Sequence, residues 1–160
     1  MKHVKCIIML VITLFCAFAV VAQNGLNNRA DNIVGTYEGV QEGYKFRARI
    51  EKLTDGSYRG QVVWMEKDRD EQGNKLLDSK NPDRKLRSLP ADRTVLFSGL
   101  TYDAKRREWG GCKIYDPLRG IRAKLVATFV SDGRLSLKGS LLGISETVYW
   151  TPLTKNPNNN

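Results

Sequence analysis

The sequence predicts an all-β protein, an antiparallel up-and-down β-barrel of about eight strands with one long loop. Apolar and polar residues alternate with a period of two, turn residues recur roughly every eight to twelve positions, and helical periodicity is lacking beyond residue 22. Such strands either pack as a sandwich or close into a barrel. We favour the barrel because closure removes exposed strand edges, which suits a small domain without a disulfide.

The first three strands are expected before residue 66. Ile33–Val40 starts the pattern, and Gly43 ends it. Residues 44–51 then alternate strictly between apolar and charged side chains, so one face is apolar. Asp55-Gly56 fits a tight hairpin because this pair tolerates positive φ, and Tyr58–Met65 is the returning strand.

Residues 66–92 interrupt this rhythm as a long, highly charged loop. Loops longer than about 12 to 15 residues are uncommon in compact domains and are commonly functional or disordered. Its prolines favour an ordered excursion, while Asn-Pro-Asp is equally consistent with the start of a short helix. No metal site is predicted, because calcium needs a regularly spaced set of oxygen ligands. The candidate contact residues of the loop are Asp78, Asn81, Asp83 and Arg87.

The second half of the barrel is expected from five further strands. Asp103, Tyr115-Asp116-Pro117 and Asp132-Gly133 mark turns between them. Gly110-Gly111 indicates a bulge or the close approach of another backbone. The expected strands are 94–100, 108–115, 121–129, 135–141 and 147–153.

Residues 1–22 have the layout of a secretory signal peptide, with Lys2 and Lys5 followed by an apolar run and small residues before Gln23. The apolar run of about 15 residues is shorter than the roughly 20 that a spanning helix needs. We therefore expect export, with no transmembrane span after cleavage. Residues 23–32 are expected to be a flexible lead-in, 33–153 the barrel domain and 154–160 a polar tail.

The residues left after cleavage exclude several kinds of site. The single histidine, His3, and two of the three cysteines lie in the leader, so Cys112 would be the only remaining thiol. Ser-His-Asp and Cys-His pairs and histidine-based zinc sites are then impossible. No paired spacing indicates a reaction and no pattern indicates a cofactor, so we do not expect an enzyme.

The net charge is +9. We interpret the excess basic residues as solvated strand faces more than as a nucleic-acid-binding surface. A basic balance can indicate nucleic acid or an anionic membrane. Here the basic residues occupy alternating strand positions, as in Lys45, Arg47 and Arg49, and are not gathered into a tract. We expect no nucleic-acid partner.

Short motifs over most of Ile33 to Leu153 match a known family pattern. They are Gly35-Thr36-Tyr37, Gly60–Trp64, the stretch from Asp78 to Arg87, Trp109-Gly110-Gly111, Tyr115-Asp116-Pro117, Gly120, Leu135–Gly139 and Leu142-Gly143. Together they resemble the DUF2147 family of small exported bacterial proteins. The sequence departs from that pattern at Ser88-Leu89, where the family has a further basic residue, and at Ala123, near a common Tyr.

The resemblance implies an antiparallel β-barrel similar to the calycins and fatty-acid-binding proteins. It also implies export to the periplasm and a lipophilic ligand, by analogy of fold. If the departing positions line a site, the ligand of this member differs from that of its relatives.

The three tryptophans, Trp64, Trp109 and Trp150, either line a ligand cavity or plug a solid core. An open interior predicts a binding protein for a small amphipathic molecule or lipid. A solid interior predicts an interaction or structural module that uses the 66–92 loop as its contact surface. Cavity volume distinguishes the two.

A charged turn is the remaining candidate site. Asp116 follows Tyr115 and can orient Arg119 toward an anionic head group at the barrel mouth. The alternative is a turn aspartate that accepts hydrogen bonds from its own backbone.

Overall fold

The computed structural model describes residues 25–153, which form nine β-strands and three 3-10 turns. The strands are β1 (Gly35–Gln41), β2 (Tyr44–Lys52), β3 (Tyr58–Met65), β4 (Val95–Asp103), β5 (Glu108–Gly110), β6 (Lys113–Asp116), β7 (Ile121–Phe129), β8 (Leu135–Leu141) and β9 (Ile144–Pro152). The 3-10 turns are Ala30–Ile33, Arg84–Leu86 and Ala91–Arg93.

The signal peptide expected at 1–22 and the tail expected at 154–160 lie outside the described residues. Within 25–153, no helix has the length and apolar character needed to cross a bilayer.

The strands close into an antiparallel barrel, which confirms the predicted fold class. Their order is β5-β4-β3-β2-β1-β9-β8-β7-β6, and β5 also pairs with β7. β5 and β6 share one position in the barrel wall, interrupted at Gly111 and Cys112, so nine segments fill eight positions. Gly111 has a φ of 85°, a value that favours glycine, and the Cys112 carbonyl still accepts from the Leu125 amide at 3.0 Å.

Alternation along the strands decides which side chains form the core. In β2, Ala48 and Ile50 point inward and are buried, while Arg47 and Arg49 face solvent. β7 repeats this arrangement, with three buried inward side chains that end at Phe129. The larger of these side chains, such as Ile50 and Phe129, each contribute roughly 1.5–3 kcal/mol when fully buried.

Asp-Gly turns fold two of the hairpins, as the sequence predicts. The Asp55 carboxylate accepts hydrogen bonds from the Ser57 amide at 2.9 Å and the Ser57 hydroxyl at 2.7 Å. Gly56 has a φ of 83°, and Gly133 has the same value in the matching turn after Asp132. Because consecutive connections alternate between the two ends of the barrel, both turns lie at one end.

We call this end of the barrel the closed end. It is formed by residues 25–34 and the turns 53–57, 104–107 and 130–134. Trp109 fills it, with its ring packed edge-on against Phe129 and beside Tyr102.

Residues 25–32 correct the expectation of a flexible lead-in. Asn27 bonds Phe129 through both side-chain amide atoms, and its carbonyl accepts from the Tyr102 hydroxyl at 2.6 Å. The Ala30 carbonyl accepts from Trp109 Nε1 at 2.9 Å. The polar composition of this segment predicted disorder. An asparagine side-chain amide can, however, form hydrogen bonds with backbone groups in place of water.

The opposite end is the open end. It is formed by the turns 42–43, 117–120 and 142–143 and by the long loop, residues 66–94. The long loop is folded. Its backbone forms two isolated antiparallel β-bridges, one between Arg69 and Lys75 and one between Leu77 and Pro90.

Candidate functional site: a cavity in the open half of the barrel

A cavity of about 1590 Å³ begins in the open half of the barrel and extends to the outer face of the wall, where its lining includes Tyr149, Thr151 and Arg134. Its inward-facing lining is mostly apolar, whereas the charged lining residues lie at the rim, in the long loop or on the outer face. Inward-facing lining residues are Phe46, Val62, Leu96, Ile114 and Leu137. The interior is therefore not solid, and it resembles ligand cavities, which are mostly apolar with a few polar groups.

Small residues on the inward face keep the open half empty. Gly139 pairs with Leu125, and Ala123 is its diagonal neighbour on the inward face, where a β-carbon on Gly139 would lie 3.3 Å from that of Ala123. Gly39 serves a different purpose, since a β-carbon there would lie 2.6 Å from the Phe46 ring. Larger side chains at these inward positions would fill the space or displace its walls.

Trp150 forms the floor of the cavity. Its ring meets Phe46 edge-on at 5.7 Å, stacks on Phe97 at 6.5 Å and is tilted against Tyr37 at 6.3 Å. Contacts of this kind between aromatic rings contribute beyond simple area burial. The floor therefore separates the empty open half from the filled closed end.

Val148 shows that the cavity reaches solvent. It pairs with Leu137 and shares the inward face of β9 with Trp150, yet its exposed fraction is 43%. Leu137 and Trp150 are buried. An inward apolar side chain in contact with solvent is available to an apolar ligand.

The barrel wall has a gap between β1 and β9. The two strands pair at Tyr37–Pro152 and Glu38–Thr151, and this register stops before Gly39, although β9 begins at Ile144. Tyr149 lines the cavity although it lies on the outer face of β9. The cavity therefore opens sideways through this gap as well as at the open end.

The charged turn lies at the rim. Arg119 Nη1 lies 2.6 Å from Glu146 Oε2 and 3.6 Å from Asp116 Oδ2. Asp116 Oδ1 also accepts from the Leu118 amide at 2.9 Å and the Arg119 amide at 3.3 Å. The sequence left two alternatives for Asp116, a turn residue that accepts from its own backbone and a partner of Arg119. In the structure Asp116 makes both kinds of contact.

The rim ion pair has a local effect on titration. The Arg119 guanidinium, through its hydrogen bond, holds the pKa of Glu146 below its usual value. Both side chains are largely exposed, so water screens the pair and a ligand head group can compete for Arg119.

Tyr115 lies on the outer face of the wall, beneath the long loop. Its hydroxyl donates to Asp78 Oδ1 at 2.7 Å, and burial raises the pKa of Tyr115. Asp78 is itself buried, and its Oδ2 accepts from Asn81 Nδ2 at 2.7 Å and from the Thr94 hydroxyl at 3.2 Å. These four residues, which we call the loop clamp, fix the long loop to the wall.

Two more candidate residues shape the loop from within. The Asn81 carbonyl accepts from Arg87 Nε at 2.7 Å, and Asp83 Oδ1 accepts from the Lys85 amide at 3.0 Å. All four loop candidates from the sequence, Asp78, Asn81, Asp83 and Arg87, thus contact the loop itself or its clamp. Of the four, Asp78 lines the cavity.

Gly120 completes the attachment of the loop. It has a φ of 70°, and a β-carbon there would lie 2.6 Å from the Lys80 carbonyl oxygen. Lys80 Nζ donates to the Leu118 carbonyl at 2.5 Å. The motif residues from Tyr115 to Gly120 therefore hold the loop against the turn that follows β6.

Of the three tryptophans, Trp150 lines the cavity and the other two do not. Trp64 lies outside the wall with 39% exposure, with Arg47 stacked over its ring. A bulge at Val63 puts two residues of β3 opposite one of β2 and turns Trp64 outward. Trp109 packs in the closed end.

Sequence reasoning missed most of the lining, because which face of each strand points inward depends on register. Glu146 could have been identified from the sequence, because it belongs to the same alternating set as Ile144 and Val148, where a charged residue is unusual. Gly139 could have been identified because a glycine within a strand marks a bulge or a close approach.

Comparison with known proteins agrees with this barrel. Protein HP1028 from the human pathogen Helicobacter pylori, which belongs to the lipocalin family, superposes with a TM-score of 0.60. The match has 22% sequence identity and covers 76% of this chain and 83% of that one, so it concerns the fold alone. No curated protein matches the chain.

A family model described as "uncharacterized protein conserved in bacteria" matches residues 35–152, from the first strand to the last. The match includes the loop clamp, the Gly120 turn and the cavity walls. The chain belongs to the DUF2147 family.

Proposed function

We propose that this protein is an exported binding protein that holds one small lipophilic or amphipathic molecule in the cell envelope. The observation that carries the proposal is the cavity of about 1590 Å³, with apolar walls and an aromatic floor. The lipocalin-like fold supports it, since small barrels can hold one small ligand. The leader-like residues 1–22 support export.

The polarity of the cavity orients the ligand. Its apolar part lies against Trp150, Leu137 and Val148, where the walls offer no charge. Its polar part stays at the rim, where Arg119 and Glu146 can exchange their mutual ion pair for contacts with a head group. In this proposal the protein acts by binding and not by catalysis.

Tryptophan fluorescence tests the proposal, because one tryptophan lies at the cavity and two lie away from it. Palmitate and a neutral monoacylglycerol are titrated against the protein. We expect a saturable emission change that is lost in Trp150→Phe and kept in Trp64→Phe, the matched control outside the wall.

Native mass spectrometry of protein recovered from the cell envelope supplies the second measurement. A retained small molecule of amphipathic character is expected. If no molecule is retained and neither probe changes the emission, the binding proposal is wrong.

A further inference from the structure

The turn between β8 and β9 exposes a leucine that folding does not require. Leu142 has a φ of 51°, a left-handed conformation that is costly for a branched apolar side chain, and its exposed fraction is 95%. The equivalent turn between β1 and β2 has Glu42 in the same conformation, with a φ of 50°. Asn-Gly is the usual sequence for such a turn. Leu142 thus combines backbone strain with full exposure, a combination associated with function.

Other apolar residues continue from this tip. Ile144 is 78% exposed, and Leu141 is also exposed on the same hairpin. Together with Leu142 they form a protruding apolar tip at the mouth of the cavity, which we call the hairpin tip. It borders the gap between β1 and β9, since β9 supplies one edge of that gap. Adjacent exposed apolar residues of this kind mark interaction sites.

Cations flank the hairpin tip on the outer face of β6, β7 and β8. Lys113 pairs in register with Lys124, and Lys124 pairs with Ser140, two positions before Leu142. Lys138 lies on the same outer face. Within residues 25–153, none of these three lysines has a carboxylate partner. Along a strand, two positions correspond to about 7 Å, so the positive charge lies close to the tip.

We propose that the hairpin tip docks on the surface of an anionic phospholipid bilayer. Leu142 and Ile144 enter the interface, and the three lysines contact the lipid head groups. Apolar side chains and neighbouring cations together provide the two contributions that stable interfacial binding needs. Docking in this orientation turns the β1–β9 gap toward the lipid, so that a ligand can pass between bilayer and cavity.

A membrane fits the hairpin tip better than a protein partner does, because the tip protrudes. A convex apolar turn with unpaired lysines behind it suits insertion between head groups. Protein interfaces instead bury well-packed surfaces with a polar rim that is depleted of lysine.

Vesicle flotation tests the inference. The whole chain is expressed, and the protein recovered after export is stripped of bound lipid. It is mixed with vesicles of phosphatidylcholine alone or of phosphatidylcholine with phosphatidylglycerol, over a series of salt concentrations. We expect tighter binding to the anionic vesicles, weakened as salt increases.

Leu142→Asn is the central variant, since asparagine suits the left-handed turn better than leucine. It should lower vesicle affinity about tenfold, the loss expected for one buried leucine, with Tm unchanged or higher. Leu153→Asn, an exposed leucine at the closed end, is the matched control and should bind as the parent does. Lys124→Gln should lower affinity about fivefold, whereas Lys105→Gln at the closed end should not.

The inference is wrong if neither vesicle type binds, or if Leu142→Asn and Leu153→Asn lose affinity equally. It is also wrong if Leu142→Asn changes only self-association, a result that would assign the tip to a protein contact. The inference adds a docking surface to the proposed binding function, but the two fail separately. Vesicle binding of lipid-free protein tests docking, and palmitate titration of the parent protein in solution tests the cavity.

Discussion

The two ends of the barrel use the same strands for opposite purposes. At the closed end, inward positions carry large buried side chains such as Trp109 and Phe129, and residues 25–32 cover them. At the open end, inward positions carry the small residues Gly139 and Ala123, and the cavity that they line stays empty. Strand pattern, turn chemistry and antiparallel pairing are shared by both ends.

The difference shows that period-two alternation determines which face points inward but not whether the inside is filled. Filling depends on side-chain volume at the inward positions, layer by layer. Trp150 marks the boundary between the two regimes. Stability should therefore depend mostly on residues between Trp150 and the closed end, and binding mostly on residues between Trp150 and the open end.

The largest effect should come from a charge placed on the inward face at each end. Leu135→Asp, at a fully buried position beside Trp150, should cost more than about 4 kcal/mol of unfolding free energy. Val148→Asp, one inward position nearer the mouth, should cost below about 1 kcal/mol yet lower palmitate affinity at least about tenfold. Denaturant unfolding and fluorescence titration measure the two quantities. Equal destabilisation by both variants would mean that the open half is packed.

Trp109→Ala should have the next largest effect. Its loss leaves a cavity against Phe129 and removes the donor to the Ala30 carbonyl, at an expected cost of about 3–5 kcal/mol. Residues 25–32 should then exchange their amide hydrogens faster. Trp64→Ala, outside the wall, is the control and should cost about 1 kcal/mol or less. A similar cost for both tryptophans would contradict the assignment of Trp109 to the closed end.

Tyr115→Phe should have an intermediate effect confined to the open end. It leaves Asp78 Oδ1 without its donor in a buried site, at a cost of about 1–3 kcal/mol. Hydrogen exchange should increase in residues 66–94 and stay unchanged at residues 25–34. Tyr149→Phe, an exposed tyrosine, should change neither. Faster exchange at both ends would mean that the loop clamp supports the entire barrel.

Acid should produce the smallest effect. Hydrogen bonds from Lys52 and Tyr58 lower the pKa of Asp31 at the closed end, and Arg119 lowers that of Glu146 at the open end. A carboxylate with a lowered folded-state pKa stabilises the protein above its unfolded pKa, about 4. That stabilisation is lost as pH falls through the folded value.

Asp31→Asn should therefore reduce stability at neutral pH by less than about 1 kcal/mol, since Asp31 is exposed, and should flatten the acid side of the stability curve. Glu146→Gln should change that curve less than Asp31→Asn, because Glu146 has one strong partner and is more exposed. Unfolding measured between neutral pH and pH 3 checks both variants. A larger flattening from Glu146→Gln would reverse the comparison between the ends.

Most of the barrel was predictable because strand periodicity and Asp-Gly turns are local signals. The Gly110-Gly111 pair predicted a bulge or the close approach of another backbone, and the structure has an interruption at Gly111 between β5 and β6. β9 begins at Ile144, three residues before the predicted Thr147. The sequence did not predict the preceding turn because that turn carries Leu142 where asparagine is usual. Composition also failed for Asn27, whose contacts with Phe129 and Tyr102 lie 102 and 75 residues away along the chain.

The site was less predictable because it depends on geometry between strands. The bulge at Val63 turns Trp64 away from the interior, and a bulge has no reliable signature in one sequence. The sequence left Asp116 either as a turn residue or as a partner of Arg119, and the Arg119 partner Glu146 lies 27 residues further along the chain. Small residues such as Gly139 and Ala123 help to leave the volume empty, and their diagonal placement on one face follows from register.

Both limits of the described chain lie at the closed end. Residue 25 begins the segment that covers this end, and the Leu153 amide donates to the Thr36 carbonyl where β1 starts. A reporter joined directly to residue 25 or to residue 153 would thus begin at the end opposite the mouth. Surface immobilisation through such a junction would present the cavity outward.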